Sequence, residues 1–393
     1  MNGGTMTPQR RAFVHIGLPK TGTSYLQSIL WRSRPALADQ DLELLPSTKA
    51  ATFYLMLAVR GSLRADLDPP AAFRALSQFR EEAAAATGSR ILVTQELLAG
   101  ATRKQITGFL SALDGYQVHV VLTLRDLARH VPSAWQQHVK ARGTTSFSAF
   151  LDDVVDAGSR RHPAYDPLRV LDRWSSAVPP ERTHVVTVPR PGSSPEVLLE
   201  RFCAVLDVDP LSLNANTNTD VRNTSLGFVQ AELLRRVNIA LGDRLPHPRA
   251  GYREQGKRFL AGSVLRAQGG EPPRLPKRLA PWCLERSETI RERLATEGYH
   301  VIGELDDLLP DAGAFAEEEQ EATDAEVAAA GSAALASVLA ARAEEAERFA
   351  ALKQLLREER EVIRSQRRLI RESRGGWSWR TSWLRRALPG RRS

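Results

Sequence analysis

Apolar and polar positions follow two rhythms along the first 310 residues. Short, almost wholly apolar runs recur at 12–18 (AFVHIGL), 90–94 (RILVT), 118–124 (VHVVLTL) and 183–188 (THVVTV). Their length and β-branched content mark them as buried strands. Between them the period lengthens to that of a helix. Leu26, Ile29, Leu30 and Leu37 share one side of a helix that starts at Thr23, and residues 71–86, 127–142 and 167–177 repeat the pattern. Residues 224–296 read as mostly helical. Strands too apolar for a half-exposed sheet, alternating with helices, predict an α/β fold: a parallel sheet flanked by helices on both faces.

The rhythm changes after ELDDLLPDAG (304–313). Residues 314–350 are rich in Ala and Glu, and from Leu335 every seventh position (Leu335, Arg342, Phe349, Leu356, Ile363, Ile370) forms a stripe with one polar break. That predicts a long helical extension, either a coiled coil between copies or a lone amphipathic helix packed on its own domain. The expected organisation is an α/β domain at 1–312, a long helix at 313–374 and a basic tail at 375–393, hinged at Gly375 and Gly376.

Charge sharpens this division. The chain of 393 residues carries a formal +8, yet residues 351–393 alone hold 13 Lys and Arg against 4 Glu, so the body is near neutral. Any contact with a polyanion or a membrane therefore rests on the tail. There Trp377, Trp379 and Trp383 interleave with Arg374, Arg380, Arg385 and Arg386, a mixture suited to an anionic membrane surface. No nucleic-acid motif accompanies it, and no nucleic-acid partner is expected. Cys203 and Cys283 are too few for a disulfide framework or a zinc site, and fit core positions in a reducing compartment. Arg10 and Arg11 lead straight into the first strand, unlike a secretory signal, and no run approaches the roughly 18 apolar residues of a membrane span. The expectation is a cytoplasmic protein, peripheral at the inner face of the membrane.

The candidate chemistry begins at VHIGLPKTGTSYLQ (14–27). A Walker A loop reads G-x-x-x-x-G-K-[ST]. Gly17 and Gly22 keep the spacing of the glycines, but Thr23 stands where the lysine belongs, and Lys20 precedes Gly22 by two residues. The stretch is still an anion site: the backbone N–H groups and dipole of the helix starting near Thr23 favour negative charge. Thr21, Thr23 and Ser24 add hydroxyl donors and Lys20 a mobile charge.

The stretch GLPKTGTSYLQ resembles the 5′-phosphosulfate loop of the sulfotransferases that use 3′-phosphoadenosine 5′-phosphosulfate (PAPS). Lys20, Thr21, Gly22, Thr23 and Ser24 match that family's P-K-[ST]-G-[ST]-[ST] position by position. A second segment, VVLTLRDLARHVPSAWQQHVK (120–140), is similar to the family's 3′-phosphate site, an Arg ending a strand and a Ser eight residues later. Arg125 and Ser133 fit. The edge of a parallel sheet beside a helix start is also where open α/β sheets place ligands, and Asp126 is positioned to cap that helix. HIGLPKTGTSYLQ, ELLAGAT and NTSLG resemble segments of bacterial, actinobacterial-type members. The resemblance spans residues 11–310 and implies a P-loop-type sulfotransferase fold with PAPS as co-substrate, 3′,5′-ADP as product and no metal.

It also implies roles. Lys20 would neutralise the charge that develops on the bridging oxygen of the leaving group, and the backbone at Gly22–Ser24 would hold the 5′-phosphate. The family places a His or Glu base after the strand at 90–94, where Glu96 fits and Gln95 lies one residue off. A carboxylate in a closing, partly desolvated cleft suits general-base work. His15 is a lesser candidate base, while His130 and His138 are expected at solvent or a cleft wall. GYREQGKRF (251–259) departs from the spacing of the lid found in many animal members; two readings stay open, a lid and, in preference, a helix with a basic face. The acceptor implied by family and tail is a hydroxyl of a glycan or glycolipid. Two rivals remain at this point: a P-loop nucleotide-dependent kinase, and a non-catalytic scaffold acting through the long helix.

Overall fold

The computed structural model describes residues 9–156, 161–215, 225–245 and 251–386, with side chains as far as Glu372. Asn223 and the side chains of the 375–393 tail lie outside the described residues. Six strands form one parallel sheet: β1 (Arg11–Gly17), β2 (Leu42–Leu45), β3 (Arg90–Thr94), β4 (Gln117–Leu124), β5 (Thr183–Thr187) and, after the short β6 (Leu275–Pro276), β7 (His300–Ile302). Their order is β2-β3-β1-β4-β5-β7, and β6 pairs separately with β8 (Phe315–Ala316). The α/β class read from the sequence is the observed one. The edge strands β2 and β7 were not foreseen. They have four and three residues, too few for an alternation to register.

The central strands are apolar because both of their faces are covered. Phe13, Leu92, Val121 and Val186 pack into one cluster with Leu26, Ile29 and Leu30 of helix α1 (Thr23–Arg32), Leu37 of α2 (Arg34–Asp39) and Phe202 of the later helix at Pro195–Leu206. Their alternating neighbours Ala12, Val14, Ile91, Val93, Val120 and Leu122 are buried as completely.

The register sets the functional edge. His15 pairs with Thr94 and Gly17 with Leu122, so the loop after β1, the turn after β3 and Arg125 after β4 all emerge at the carboxyl ends of three adjacent strands. The helices that follow are α3 (Lys49–Val59), α4 (Ala75–Ala85), α5 (Arg103–Leu110), α6 (Leu127–Lys140), α7 (Phe147–Asp156), α8 (Pro167–Trp174), α9 (Pro195–Leu206), α10 (Phe228–Leu241) and α11 (Ala280–Thr296). Between α10 and α11, Arg253–Leu265 winds as a π-helix.

The chain divides into two compact units, 1–330 and 331–393. The second is the continuation of helix α12 (Asp324–Arg386). This helix begins eleven residues later than the expected 313, since 3₁₀ turns and β8 come first. It also runs through Gly375 and Gly376 without the expected hinge. A glycine costs only about 1 kcal/mol in a helix interior, which a long ladder of hydrogen bonds tolerates. Against the expectation of no membrane-length segment, Asp324–Glu372 is long and apolar enough to cross a membrane by length and composition. The cause is the uncharged, alanine-rich stretch 327–341.

Candidate functional site

The loop between β1 and α1 is built around left-handed backbone. Gly17, Lys20 and Gly22 have φ of 99°, 72° and 85°. A Cβ on Gly17 would lie 2.9 Å from the Glu96 Cβ, so only glycine lets the turn after β3 press against the end of β1. A Cβ on Gly22 would meet Leu198 at 2.5 Å. Lys20 has no such exemption, and a non-glycine residue in this region costs roughly 1–2 kcal/mol. Strain of this kind gathers where a side chain must be aimed.

Gly22 starts α1 without any side-chain cap. The N–H groups of Tyr25 and Leu26 turn back to the Gly22 carbonyl, at 3.0 and 3.2 Å. Those of Thr23 and Ser24 are left at the open end of the helix, where the dipole is positive. Thr21 departs from expectation. Its hydroxyl is fully buried, donates to the Leu18 carbonyl at 2.5 Å and pairs with the Thr123 hydroxyl at 2.5 Å. It pins the loop to β4 and does not line the cleft.

That cleft, of about 560 Å³, is lined by Lys20, Gly22, Thr23, Ser24, Glu96, Arg125 and Ser133 together. The two anion sites read from distant segments are therefore one site. Asp126 caps α6 as expected, accepting from the Arg129 N–H at 2.9 Å. Arg125 Nη2 donates to the Arg129 carbonyl at 2.6 Å and to Ser133 Oγ at 2.8 Å. Its Nε is buried without a partner. Burial and the neighbouring Arg129 guanidinium push its pKa down to about 10, so it stays charged at neutral pH. A buried cation with an unsatisfied donor is what an incoming oxyanion would satisfy.

Glu96 Oε2 accepts from Gln27 Nε2 at 2.8 Å, and Oε1 makes no hydrogen bond among the described residues. Gln95 instead caps the turn that Glu96 begins, its side chain accepting from the Leu97 N–H at 3.3 Å. The Lys20 pKa is lowered by burial, then by the charges of Arg125 and Lys257, with Glu96 opposing.

The histidines stand elsewhere. His15 is fully buried, Nδ1 against the Thr94 hydroxyl at 2.8 Å, and burial pushes its pKa down to about 3. It is a core residue of β1. His130 is buried too, contrary to the expected solvent or cleft-wall position, because it falls on the core side of α6. Burial, then the Arg125 charge, lowers its pKa to about 3.

The far wall was largely missed. Lys140, Gln137, Tyr165, Ser225, Lys257 and Arg266 also line the cleft. Lys140 extends the Ser133–Gln137 row of α6 by one turn, a signal that following the helix face from Ser133 would have found. Residues 251–259 are not merely a helix with a basic face: through Lys257 this segment forms part of the wall. Tyr165 has its pKa raised by burial and by the charge of Glu96.

This parallel α/β sheet with a basic cleft at its carboxyl edge matches no family model and no curated protein. Among solved structures it is similar to "Crystal Structure of Sulfotransferase from Alicyclobacillus acidocaldarius", with 17% identity, a TM-score of 0.35, and coverage of 60% of this chain and 95% of that one.

Proposed function

We propose that this chain is a PAPS-dependent sulfotransferase acting on a hydroxyl of a glycan or glycolipid. The observation that carries this reading is the meeting of the Lys20–Ser24 loop and the Arg125–Ser133 pair in one cleft. PAPS offers anions at two separated points, its 5′-phosphosulfate and its 3′-phosphate. The uncapped start of α1 with Lys20 suits the first, and Arg125 with its orphaned Nε and Ser133 suits the second.

In the reaction the acceptor oxygen bonds to sulfur as the bond from sulfur to the 5′-phosphate oxygen breaks, in line, much as in phosphoryl transfer. The hydroxyl proton passes to Glu96. The leaving 3′,5′-ADP gains negative charge at the former bridging oxygen, where Lys20 neutralises it. Charge stabilisation by positioned groups of this kind usually contributes more to catalysis than any other single effect. No metal ion takes part in this scheme.

Thermal shift with 3′,5′-ADP against ADP and ATP tests the reading, since a ligand selective for the folded state stabilises it by about 2.7 kcal/mol at a hundredfold excess over Kd. 3′,5′-ADP should raise the melting temperature most. An equal rise with ATP and Mg²⁺ would point to a kinase instead, and no rise with any nucleotide to a scaffold. The protein acts in the cytoplasm, peripheral at the inner membrane face through its Trp/Arg tail. Equal flotation on anionic liposomes of the full chain and of a chain ending at Gly375 would dispose of that part. The exposed row Leu335, Phe349, Leu356, Ile363 and Ile370 offers a seam for pairing with a second copy.

A further inference from the structure

Five cationic side chains line the cleft: Lys20, Arg125, Lys140, Lys257 and Arg266. Glu96 is the single carboxylate among its lining residues. Two of the cations have assigned work at the donor, Lys20 at the transferring end and Arg125 at the 3′-phosphate. The other three come from the far wall, Lys140 from the end of α6 and Lys257 and Arg266 from the π-helical segment and its first following residue.

The winding of that segment aligns them. Nine residues make two and a half turns of an α-helix, which would put 257 and 266 on opposite faces. The wider i→i+5 winding makes nine residues close to two full turns, which returns them to one face. Lys140 and Lys257 form no ion pair among the described residues. Like charges gathered around a single carboxylate are unfavourable in the protein without ligand, and functional sites are where such arrangements persist.

The charge contacts tie this cluster to the transferring end, where Lys20, beyond its own burial, feels Arg125 first and Lys257 next. Burial first, then the charges of Lys20, Arg266 and Lys257, brings the Lys140 pKa down to about 8. Lys257 feels Glu96 besides its own neighbours Arg253 and Arg258. Arg125 feels Arg129 and Asp126. In the one cleft they line, this cluster is coupled through Lys20 and Glu96 to the transferring end and the base, where the acceptor must sit.

We infer that Lys140, Lys257 and Arg266 form an acceptor subsite for an oxyanion, so that the acceptor carries a carboxylate or a phosphate beside its reacting hydroxyl. This rests on the sulfotransferase reading and names its substrate class. A uronate sugar and a phosphorylated sugar supply the same chemistry.

The test uses the full chain saturated with 3′,5′-ADP, to which glucuronate, glucose 6-phosphate or glucose is added in thermal-shift and calorimetric titrations. At least one anionic sugar should bind at least tenfold tighter than glucose, and the choice between the two identifies the anion. In Lys140→Gln/Lys257→Gln, checked for folding by its melt, that preference should fall to within twofold while 3′,5′-ADP binds as in the wild type. If no anionic sugar outbinds glucose, or the double variant keeps the preference, the subsite is not there. If the variant loses 3′,5′-ADP affinity instead, these cations belong to the donor and the inference is overturned. Failure of 3′,5′-ADP to bind the wild type would be a separate result, against the sulfotransferase reading itself.

Discussion

The two walls of the cleft are made by different means. The near wall consists of three strand ends, held in register by the sheet and tightened by Gly17, Gly22 and the buried Thr21 hydroxyl. The far wall includes the last turn of α6 and a π-helical segment, which no strand register holds; side chains tie them, Asn238 donating to the Val139 carbonyl at 2.9 Å and Tyr252 to Asn238 Oδ1 at 2.6 Å. Under the proposed function the near wall is a fixed frame that needs few charges, Lys20 and Arg125, because backbone N–H groups would do part of the binding. The far wall has long side chains and relies on their number. Fixed geometry suits a constant donor, and longer, adaptable cations suit the variable partner.

If that division holds, the largest effect should come from the near wall. Lys20→Ala should lower sulfuryl transfer by about a thousandfold or more, the range of removing a group aimed at charge developing in the transition state. Single-turnover rates check this. A loss under tenfold would place the critical charge on the far wall. Glu96→Gln comes next. It keeps the shape and the contact with Gln27, so 3′,5′-ADP should bind unchanged while kcat falls about 10²–10⁴-fold, the usual worth of a general base. Unchanged kcat would mean that the proton leaves by another route.

The same division governed what the sequence revealed. Near-wall residues lie within a few positions of strand ends, where β-periodicity, glycine spacing and a helix start coincide in one short stretch. Lys20, Gly22, Thr23 and Ser24 stand out in that way, Glu96, Arg125 and Ser133 through the family resemblance of their segments, and all line the cleft. Thr21 was marked too, but alternation along a loop does not say which hydroxyl turns inward, and its contact with Thr123 is 102 residues away. Lys257 and Arg266 were hidden for a different reason. A 3.6-residue wheel separates them, and no local signal announces a π-helix. His130 was misplaced because the core side of α6 is fixed by what packs on it, including Tyr165.

A smaller effect tests the near wall's second anchor. Arg125→Gln should cost the preference for 3′,5′-ADP over ADP about 10- to 100-fold, the equivalent of a charged hydrogen bond at roughly 1.5–3 kcal/mol, while leaving ADP affinity nearly as it was. Isothermal titration with both nucleotides measures it. An equal loss for the two would mean that Arg125 does not read the 3′-phosphate.

The smallest effect concerns stability, and its sign is opposite. The Lys140 pKa of about 8 in the folded chain lies below the roughly 10.4 of an unfolded lysine. Below pH 8 the lysine is charged in both states, and the folded state bears the cost of its burial among other cations. Between about pH 8 and 10.4 the folded chain releases its proton first, so that cost fades as pH rises. Lys140→Met should therefore melt higher than the wild type at pH 7 without ligand, by roughly 1–2 °C, since about 1 kcal/mol moves a domain of 150–250 residues by 2–4 °C and the compact unit 1–330 by less. The difference should shrink as the pH approaches 10. A residue whose removal stabilises the protein without ligand is retained for what it binds, whereas a lower melting temperature at pH 7 would make Lys140 a structural member of the far wall.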